Sequence, residues 1–430
     1  MIKKIFNKVR KNQMINTSFY TGIGTILNSL SGIFVAKMIA ILLGPSGIAL
    51  ISQFQNFISI SSAAVTGGID QGVVKYVAEY RNDEVKFKMF LSTALRYVLT
   101  LAIIVGLFII IFSRYLADYL LQNKEYSFVF VLFGFTVILF GLNRLLLSIL
   151  NGTGEIKKLV MANIFTSLFA IFITVPLTYF VGLVGALIAL SISQSVVFFI
   201  SLIFVIKSSW FKKEFAKITY HKKYVLDLIK FSLMSASSVI LVPFVNIAIR
   251  KYIIVNLSID DAGCWDGLNK ISSAYLGIIT TTLGYYYLPK LSSLKDKLLI
   301  KHEIINGYKI IIPVLCFILV IIYLFKNIII VILLSPKFIS IKDLIFLQLV
   351  GDFFKIASFM LSYLMLAKAK TKMFILTQIT FLSFLYLTSI IFINIFSLEG
   401  VVIAYALNYI LYFIAVLFLF RDIIFYKVEE

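Results

Sequence analysis

The sequence predicts an all-α integral membrane protein whose twelve transmembrane helices form two six-helix lobes related by a parallel internal repeat. Hydrophobic residues make up 61% of its 430 residues, only 14% are charged, and the mean hydropathy is +1.01. Soluble globular domains do not have this composition. A sequence pattern that recurs half a chain length later predicts the two related lobes. The concentration of Lys and Arg in alternate loops is typical of a membrane protein.

Apolar runs long enough to cross about 30 Å of hydrocarbon recur along the whole chain, and each is predicted to be one transmembrane helix. The twelve runs are 17–43, 46–68, 90–112, 128–150, 159–181, 183–206, 226–254, 265–288, 305–333, 341–366, 371–395 and 399–420. Some runs exceed the length of a straight crossing, which permits a tilted or kinked helix. The basic N-terminal arm carries no cleavage pattern, so we expect the first run to remain in the mature protein.

The repeat is visible at residues 37–75 and again at 251–290. In each copy a cation lies inside an apolar run, a turn with Gly follows, and a second apolar run ends at a basic residue. The cations Lys37 and Lys251 are 214 positions apart, which is about half of the chain. Because six spans return the chain to its starting side, the two halves have the same orientation and form a parallel repeat.

The boundary between the lobes is predicted at a basic stretch. Residues 207–224 separate an N-terminal lobe, 1–206, from a C-terminal lobe, 225–430. We expect this linker to lie on the cytoplasmic membrane surface, with Trp210 and Phe211 as interfacial anchors.

The formal charge of +20 follows from membrane topology, since most Lys and Arg lie in alternate loops. This positive-inside bias predicts that both termini are cytoplasmic, and it excludes a nucleic-acid partner as the reason for the charge. A direct role in binding lipid headgroups is the alternative, because the cytoplasmic leaflet is anionic.

Charged residues inside the predicted spans are the candidates for substrate binding. They are Lys37, Arg96, Arg144, Arg250, Lys251, Lys270, Lys309, Asp352 and Lys355, eight cations and one anion. A mid-span Lys or Arg costs on the order of 2.5–3.5 kcal/mol to insert, so several together indicate a water-filled cavity between the lobes. The excess of cations favours an anionic substrate group, such as phosphate or pyrophosphate, over a cationic drug.

Not every one of these cations needs a substrate. Arg96 and Lys309 lie near the ends of their spans, where snorkelling explains their charge. The predicted substrate-binding residues are Lys37, Arg144, Arg250, Lys251, Lys270 and Lys355. For the two cations that the repeat relates, Lys37 and Lys251, a salt bridge or a snorkelled helix end is the alternative.

Asp352 is the candidate for ion coupling. It lies three residues before Lys355, so the two side chains share one helix face. A direct ion pair would lower the cost of burying both groups. In the functional alternative, Asp352 exchanges a proton or another ion during turnover and releases Lys355 to the substrate.

Motifs for catalysis and for nucleotide or metal binding are missing from the sequence. It contains no P-loop, no G-x-S-x-G and no His, Cys, Asp and Glu cluster with metal-ligand spacing, so we expect no cofactor, no metal and no enzyme activity. Energy for transport would then come from an ion gradient, the membrane potential or the substrate gradient. The two cysteines, Cys264 and Cys316, predict no disulfide framework.

Three strings in the chain are distinctive: LLGPSGIALISQFQNFISISS with GGIDQGVVKYVAEY, WDGLNKISSAYLGIITTTLGYYYLPKLSSL, and FLQLVGDFFKIASFMLSYLMLAKA. They resemble the Wzx-type polysaccharide-lipid flippases of the multidrug/oligosaccharidyl-lipid/polysaccharide exporter superfamily. The resemblance implies two six-helix lobes that form a V around a central cationic cavity. It also implies alternating access, in which an undecaprenyl-pyrophosphate-linked oligosaccharide moves from the cytoplasmic to the periplasmic leaflet of the bacterial inner membrane.

The implied substrate is an O-antigen or related repeat unit of lipopolysaccharide biosynthesis. The implied partners are this lipid-linked oligosaccharide, membrane lipids and the glycan polymerase machinery that acts next, while a monomer is sufficient. Residues that match the pattern of these flippases are Lys37, Arg250, Lys251, Trp265, Asp352 and Lys355. The chain departs from the pattern at Ser273, which replaces an acidic residue, and at Asp266 and Lys270, which replace uncharged ones. This difference in the positions of charged residues indicates that the chain carries a different oligosaccharide from the flippases that have the pattern.

Three other classes are weighed against the flippase. A drug or metabolite antiporter of the same superfamily would have acidic residues in the spans of the first lobe, which are missing here. A glycan polymerase or ligase would carry a sizeable periplasmic loop, and the predicted outer connections are too short for one. A major-facilitator symporter would have a basic signature loop between spans two and three, and residues 69–89 do not contain it.

Overall fold

The computed structural model is helical over the residues it describes, which are 13–208, 210–211, 222–368 and 370–424. Eight helices are long and apolar enough to cross a membrane, and no strand occurs in these residues. The expectation of an all-α, multi-pass membrane protein is therefore confirmed. The N-terminal arm up to residue 12 lies outside the described residues.

The first half of the described chain is built from helices. They are α1 Gln13–Thr66, α2 Asp70–Tyr80, α3 Glu84–Ile111, α4 Ser113–Leu121, α5 Ser127–Gly152 and α6 Ile156–Ile206, with a 3-10 turn at Lys124–Tyr126. Four of these six helices follow the predicted apolar runs, whereas α2 and α4 lie between the runs. Gly67 and Gly68 both have positive φ, and they separate α1 from α2. At the start of α3 the side chain of Asp83 accepts a hydrogen bond from the backbone N–H of Lys86, which caps the helix.

The second half is also built from helices. They are α7 Lys222–Asn256, α8 Ile259–Thr282, α9 Leu288–Ser293, α10 Lys297–Leu324, α11 Lys326–Leu333, α12 Ile345–Ala367, α13 Thr371–Leu419 and α14 Arg421–Ile424. A π-helical turn at Leu283–Tyr287 joins α8 to α9, and a 3-10 segment at Pro336–Asp343 precedes α12. Ser258 caps α8 by accepting a hydrogen bond from the backbone N–H of Asp261.

Each of the three longest helices contains one residue with non-helical backbone angles. These residues are Gly44 in α1 (φ 71°), Gly182 in α6 (φ 65°) and Ser397 in α13 (φ 52°). Positive φ is readily adopted by Gly and rarely by Ser. All three breaks coincide with boundaries between predicted apolar runs.

In α6 and α13 the chain turns back on itself at the break. A Cβ added to Gly185 would overlap the carbonyl oxygen of Leu177, and one added to Gly400 would overlap the carbonyl oxygen of Phe392. Eight residues of a continuous α-helix rise by about 12 Å, so these close approaches require a reversal of direction. Each of the two helices is therefore a helical hairpin with almost no loop.

The chain forms two compact units. The first unit contains Met1–Leu42 and Gln53–Pro243, and the second contains Leu43–Ser52 and Phe244–Glu430. Of the predicted linker 207–224, residues 209 and 212–221 lie outside the described part of the chain.

The second unit includes Leu43–Ser52, the segment of α1 that contains the break at Gly44. A Cβ added to Gly263 of α8 would overlap the carbonyl oxygen of Pro45, so α8 packs directly on this backbone. The backbone N–H of Ser46 donates to Asp260 Oδ1 at 3.0 Å. An anion at the start of a helix satisfies a free N–H and complements the helix dipole.

Candidate functional site

A buried ion pair lies between α7 and α8 in the second unit. Arg250 Nε donates to Asp266 Oδ2 at 2.6 Å, and Arg250 Nη2 donates to Asp266 Oδ1 at 2.7 Å. The two side chains are only 3% and 5% exposed. The guanidinium also lies 5.5 Å from the centre of the Trp265 ring, which adds a cation–π contact. Arg250, predicted as a substrate-binding cation, thus has a bidentate carboxylate partner in the protein.

Asp266 changes the charge balance of this region. It lies inside the predicted run 265–288 and was left out of the charged residues that the sequence analysis counted in the spans. The count of one anion was wrong, because the predicted runs contain Asp266 and, at their ends, also Asp227, Asp343 and Glu399. Lys270 follows Asp266 by one helical turn and is partly exposed. Because the pair with Arg250 is neutral, Lys270 holds the net positive charge of the three residues.

Asp352, on α12, lies at the centre of a second buried cluster. Its side chain is inaccessible to solvent. Ser272 Oγ donates to Asp352 Oδ2 at 2.6 Å, Tyr405 OH donates to Oδ1 at 2.6 Å, and Tyr275 OH also donates to Oδ2. Gln348 Nε2 in turn donates to Ser272 Oγ at 3.0 Å. Hydroxyl groups from α8 and α13 therefore satisfy this carboxylate away from water.

Lys355 reaches the same cluster through a tyrosine. Its Nζ donates to Tyr405 OH at 3.3 Å, and it lies 5.5 Å and 5.2 Å from the ring centres of Tyr405 and Tyr409. No direct ion pair joins Lys355 to Asp352 among the described side chains. The Tyr405 hydroxyl instead connects the two charged groups through one hydrogen bond to each. The direct ion pair between Asp352 and Lys355, which their spacing in the sequence permits, is therefore not formed.

The remaining predicted residues are spread over both units. Lys251 is half-buried on α7, next to Arg250. In the first unit, Lys37 is half-buried on α1, and Arg144 Nη2 lies 3.3 Å from Asp70 Oδ2. The structure thus brings Arg250 and Lys270 together around Asp266, and Lys355 together with Asp352. Within the residues described, no group of three His, Cys, Asp or Glu side chains could hold a metal ion.

The cluster around Asp352 can hold one negative charge and connect it to a cation. A carboxylate accepts from all three hydroxyls at once, whereas a protonated carboxyl group has less acceptor capacity and becomes a donor itself. Gain or loss of a proton at Asp352 would therefore rearrange the hydrogen bond of Tyr405 and, through it, the position of Lys355. This arrangement suits an ion-coupling residue.

Sequence reasoning missed three residues of this cluster. Ser272, Tyr275 and Tyr405 lie in apolar runs, where hydroxyl and aromatic side chains commonly pack between helices. The spacing of Ser272 and Tyr275 by three positions was a usable signal, because it places two hydroxyls on neighbouring parts of one helix. Tyr405 had no comparable signal, since it is 53 residues from Asp352.

The chain is similar to known proteins over nearly its whole length. Residues 15–295 match the family model described as polysaccharide biosynthesis protein. The chain is 28% identical over 405 residues to the lipid III flippase of Escherichia coli (strain K12), which covers 93% of this chain and 96% of the relative. The lipid III flippase of Shigella flexneri matches with the same identity and coverage.

Solved structures give the fold. An inward-facing multidrug resistance MATE family transporter of the MOP superfamily superposes with a TM-score of 0.73 at 17% identity, covering 94% of this chain and 96% of that one. An outward-facing MATE family transporter of the same superfamily gives a TM-score of 0.64 at 15% identity and 96% coverage of both chains. The chain therefore has the fold of these transporters.

Proposed function

Because the chain belongs to the polysaccharide biosynthesis protein family, we propose that it is a flippase for a lipid-linked oligosaccharide. The substrate is an undecaprenyl-pyrophosphate-linked repeat unit, such as an O-antigen unit, which moves from the cytoplasmic to the periplasmic leaflet of the bacterial inner membrane. The observation that carries this proposal is the similarity to a relative named lipid III flippase over 93% of the chain. The same observation argues against an enzyme, because the relatives are named for transport.

We propose that cations of the spans attract the pyrophosphate group. Lys37 in the first unit, and Lys251, Lys270 and Lys355 in the second, are all partly exposed. Arg144 and Arg250 already have carboxylate partners, so they would join the site by exchanging those partners or by holding other residues in place. The prenyl chain would stay in the bilayer while the headgroup crosses.

Transport would proceed by alternating access coupled to an ion. Asp352 is the proposed coupling residue, because it is a fully buried carboxylate joined to Lys355 through one hydroxyl. Protonation would weaken this connection and free Lys355 for the substrate, and release of the proton would reset the carrier. A monomer is sufficient for such a cycle.

We also propose twelve spans, in the lobes 1–206 and 225–430. A helix of 54 residues such as α1 would be roughly 80 Å long at 1.5 Å per residue, far more than the hydrocarbon core requires. Division at Gly44, Gly182 and Ser397 separates three of the eight apolar helices into two spans each. Helix α8, which carries four charged residues, is the twelfth and corresponds to the predicted run 265–288.

The proposal is tested with purified protein in proteoliposomes. Fluorescent undecaprenyl-pyrophosphate oligosaccharide is added, and its transfer between leaflets is followed with and without an imposed pH gradient. We expect transfer above that in protein-free vesicles, loss of transfer in Lys37→Ala, and normal transfer in the matched control Lys309→Ala, whose exposed lysine lies near a span end. Normal transfer by Lys37→Ala would contradict the role of Lys37.

A drug antiporter is the second candidate, because the fold is that of multidrug transporters. A buried carboxylate such as Asp352 could also bind a cationic drug. Efflux of a small cationic dye, together with no transfer of several lipid-linked glycans, would favour this function over the flippase.

A further inference from the structure

We propose that Arg250 and Asp266 are a positioning pair, and that Lys270 is the member of this group that contacts the pyrophosphate of the substrate. The inference rests on the flippase function proposed above and assigns separate roles within its binding site. It differs from the prediction made from sequence, which treated Arg250 and Lys270 as equivalent binding cations.

Arg250 is poorly placed to bind a ligand. Two of its nitrogens are engaged by both oxygens of Asp266, at 2.6 Å and 2.7 Å, and its side chain is 3% exposed. A substrate phosphate would have to displace the carboxylate and leave Asp266 buried without its cation. Loss of one partner from a buried ion pair is strongly unfavourable, because the remaining charge is uncompensated.

Lys270 has the properties that Arg250 lacks. It is partly exposed, and it lies one turn after Asp266 on the same face of α8. Asp266 attracts it and Arg250 repels it, while the pair that these two residues form already uses both carboxylate oxygens. Lys270 forms no direct ion pair among the described residues, so its amino group is available to an anionic ligand.

The helix face that continues from Lys270 is open and polar. Ser273 is exposed, and its hydroxyl donates to the carbonyl of Asn269 at 2.7 Å. One turn further, Gly277 is exposed, and a Cβ added there would meet no atom within 4 Å. Polar residues on the accessible face of a membrane helix favour water over lipid. A sugar next to the pyrophosphate would find a hydroxyl and free space on this face.

The roles predict a specific pattern for paired substitutions. In Arg250→Gln, Asp266 loses its partner and neutralises Lys270, so affinity for an anion falls. In the double variant Arg250→Gln with Asp266→Asn, both charges of the pair are gone, and Lys270 regains its net positive charge. The double variant should therefore bind nearly as well as the wild type, whereas it should stay well below the wild type if Arg250 itself contacts the phosphate, because the guanidinium is still missing.

The probe is inorganic pyrophosphate, titrated calorimetrically into the purified full-length protein in detergent. We expect at least about tenfold weaker binding in Arg250→Gln and in Lys270→Ala, affinity within about threefold of wild type in the double variant and in Lys270→Arg, and no change in the control Lys309→Ala. Size-exclusion profiles and thermal midpoints show that each variant is folded. If the variants of Arg250 and Asp266 fail to fold, Lys270→Ala still tests the inference, because Lys270 is partly exposed and its replacement should leave the fold intact.

Two results would overturn the inference: a double variant that binds as weakly as Arg250→Gln, or unchanged binding in Lys270→Ala. Transfer of the lipid-linked oligosaccharide is measured on the same wild-type preparation. A wild-type protein that binds pyrophosphate through Lys270 and transfers no lipid-linked glycan would contradict the proposed flippase and leave the positioning pair intact.

Discussion

At the scale of single residues, the two buried carboxylates described in the second unit have partners from other helices. Sequence spacing predicted that Asp352 and Lys355 share a helix face, and this is the arrangement found on α12. It could not predict Tyr405, because contacts between distant helices depend on packing rather than on periodicity. For the same reason the partnership of Arg250 with Asp266, 16 residues apart on successive helices, emerged only from the structure.

Tyr405→Phe tests the bridge between Asp352 and Lys355. The substitution removes one of three hydroxyl donors from a buried carboxylate and the hydrogen-bond acceptor of Lys355, while keeping the ring. Hydrogen bonds to charged groups contribute about 1.5–3 kcal/mol, so we expect a lower thermal midpoint in detergent. We also expect transfer in proteoliposomes to depend less on an imposed pH gradient.

Tyr409→Phe is the matched control, since its ring also lies over Lys355 but its hydroxyl has no hydrogen bond among the described residues. It should retain the wild-type midpoint and gradient dependence. If both variants behave like wild type, the hydroxyl bridge has no role in coupling.

At the scale of helices, the apolar runs located the breaks but not their geometry. The runs that end at residue 181 and begin at residue 183 leave Gly182 between them, where the chain turns back. Hydropathy cannot distinguish a reversal from a straight connection, because both sides of the break are equally apolar. Ser397 is harder to predict than Gly182, since Ser seldom adopts a positive φ.

The two hairpin breaks allow a reciprocal substitution experiment. Ser397 has φ 52° and ψ −135°, a conformation that costs a side-chain-bearing residue about 1 kcal/mol or more, so Ser397→Gly should raise the thermal midpoint. Gly182→Ser should lower it, because Gly182 has φ 65° and ψ −141°. Differential scanning fluorimetry of both variants measures the effect, and equal midpoints would mean that the backbone relaxes at both breaks.

The close approach of α8 to the break in α1 gives a second test at this scale. Gly263→Ala would place a Cβ onto the carbonyl oxygen of Pro45, and overpacking of this kind typically costs about 1–3 kcal/mol. We expect a lower thermal midpoint. Gly32→Ala is the control, because a Cβ there meets nothing within 4 Å and a helix favours Ala over Gly. A Gly263→Ala midpoint equal to that of Gly32→Ala would argue against the contact.

At the scale of the whole molecule, composition was enough to predict a helical membrane protein, and the resemblance of three strings to known flippases indicated the family. The count of twelve spans stays a prediction, because the described residues form eight long apolar helices and three of these contain a break. Helix α8, predicted as the run 265–288, is less apolar than the other predicted spans because it carries four charged residues. The direction of the chain in the membrane stays a prediction from the positions of Lys and Arg.

Cysteine labelling tests the proposed topology in intact cells. In a Cys264→Ser, Cys316→Ser background, single cysteines replace the exposed residues Lys124, Lys337, Arg81 and Lys295. Twelve spans with cytoplasmic termini predict that a membrane-impermeant maleimide labels positions 124 and 337 directly. Positions 81 and 295 should be labelled only after the cells are permeabilised, and the reverse pattern would invert the topology.

The hairpin in α6 also bears on how the protein is made. Residues 159–206 contain no charged side chain, whereas Lys157 and Lys158 precede them and Lys207 follows. With almost no loop at Gly182, nothing polar has to be carried across the bilayer separately from the two apolar segments. We therefore expect the translocon to release this hairpin into the membrane as one piece during synthesis, with its lysines retained on the ribosome side.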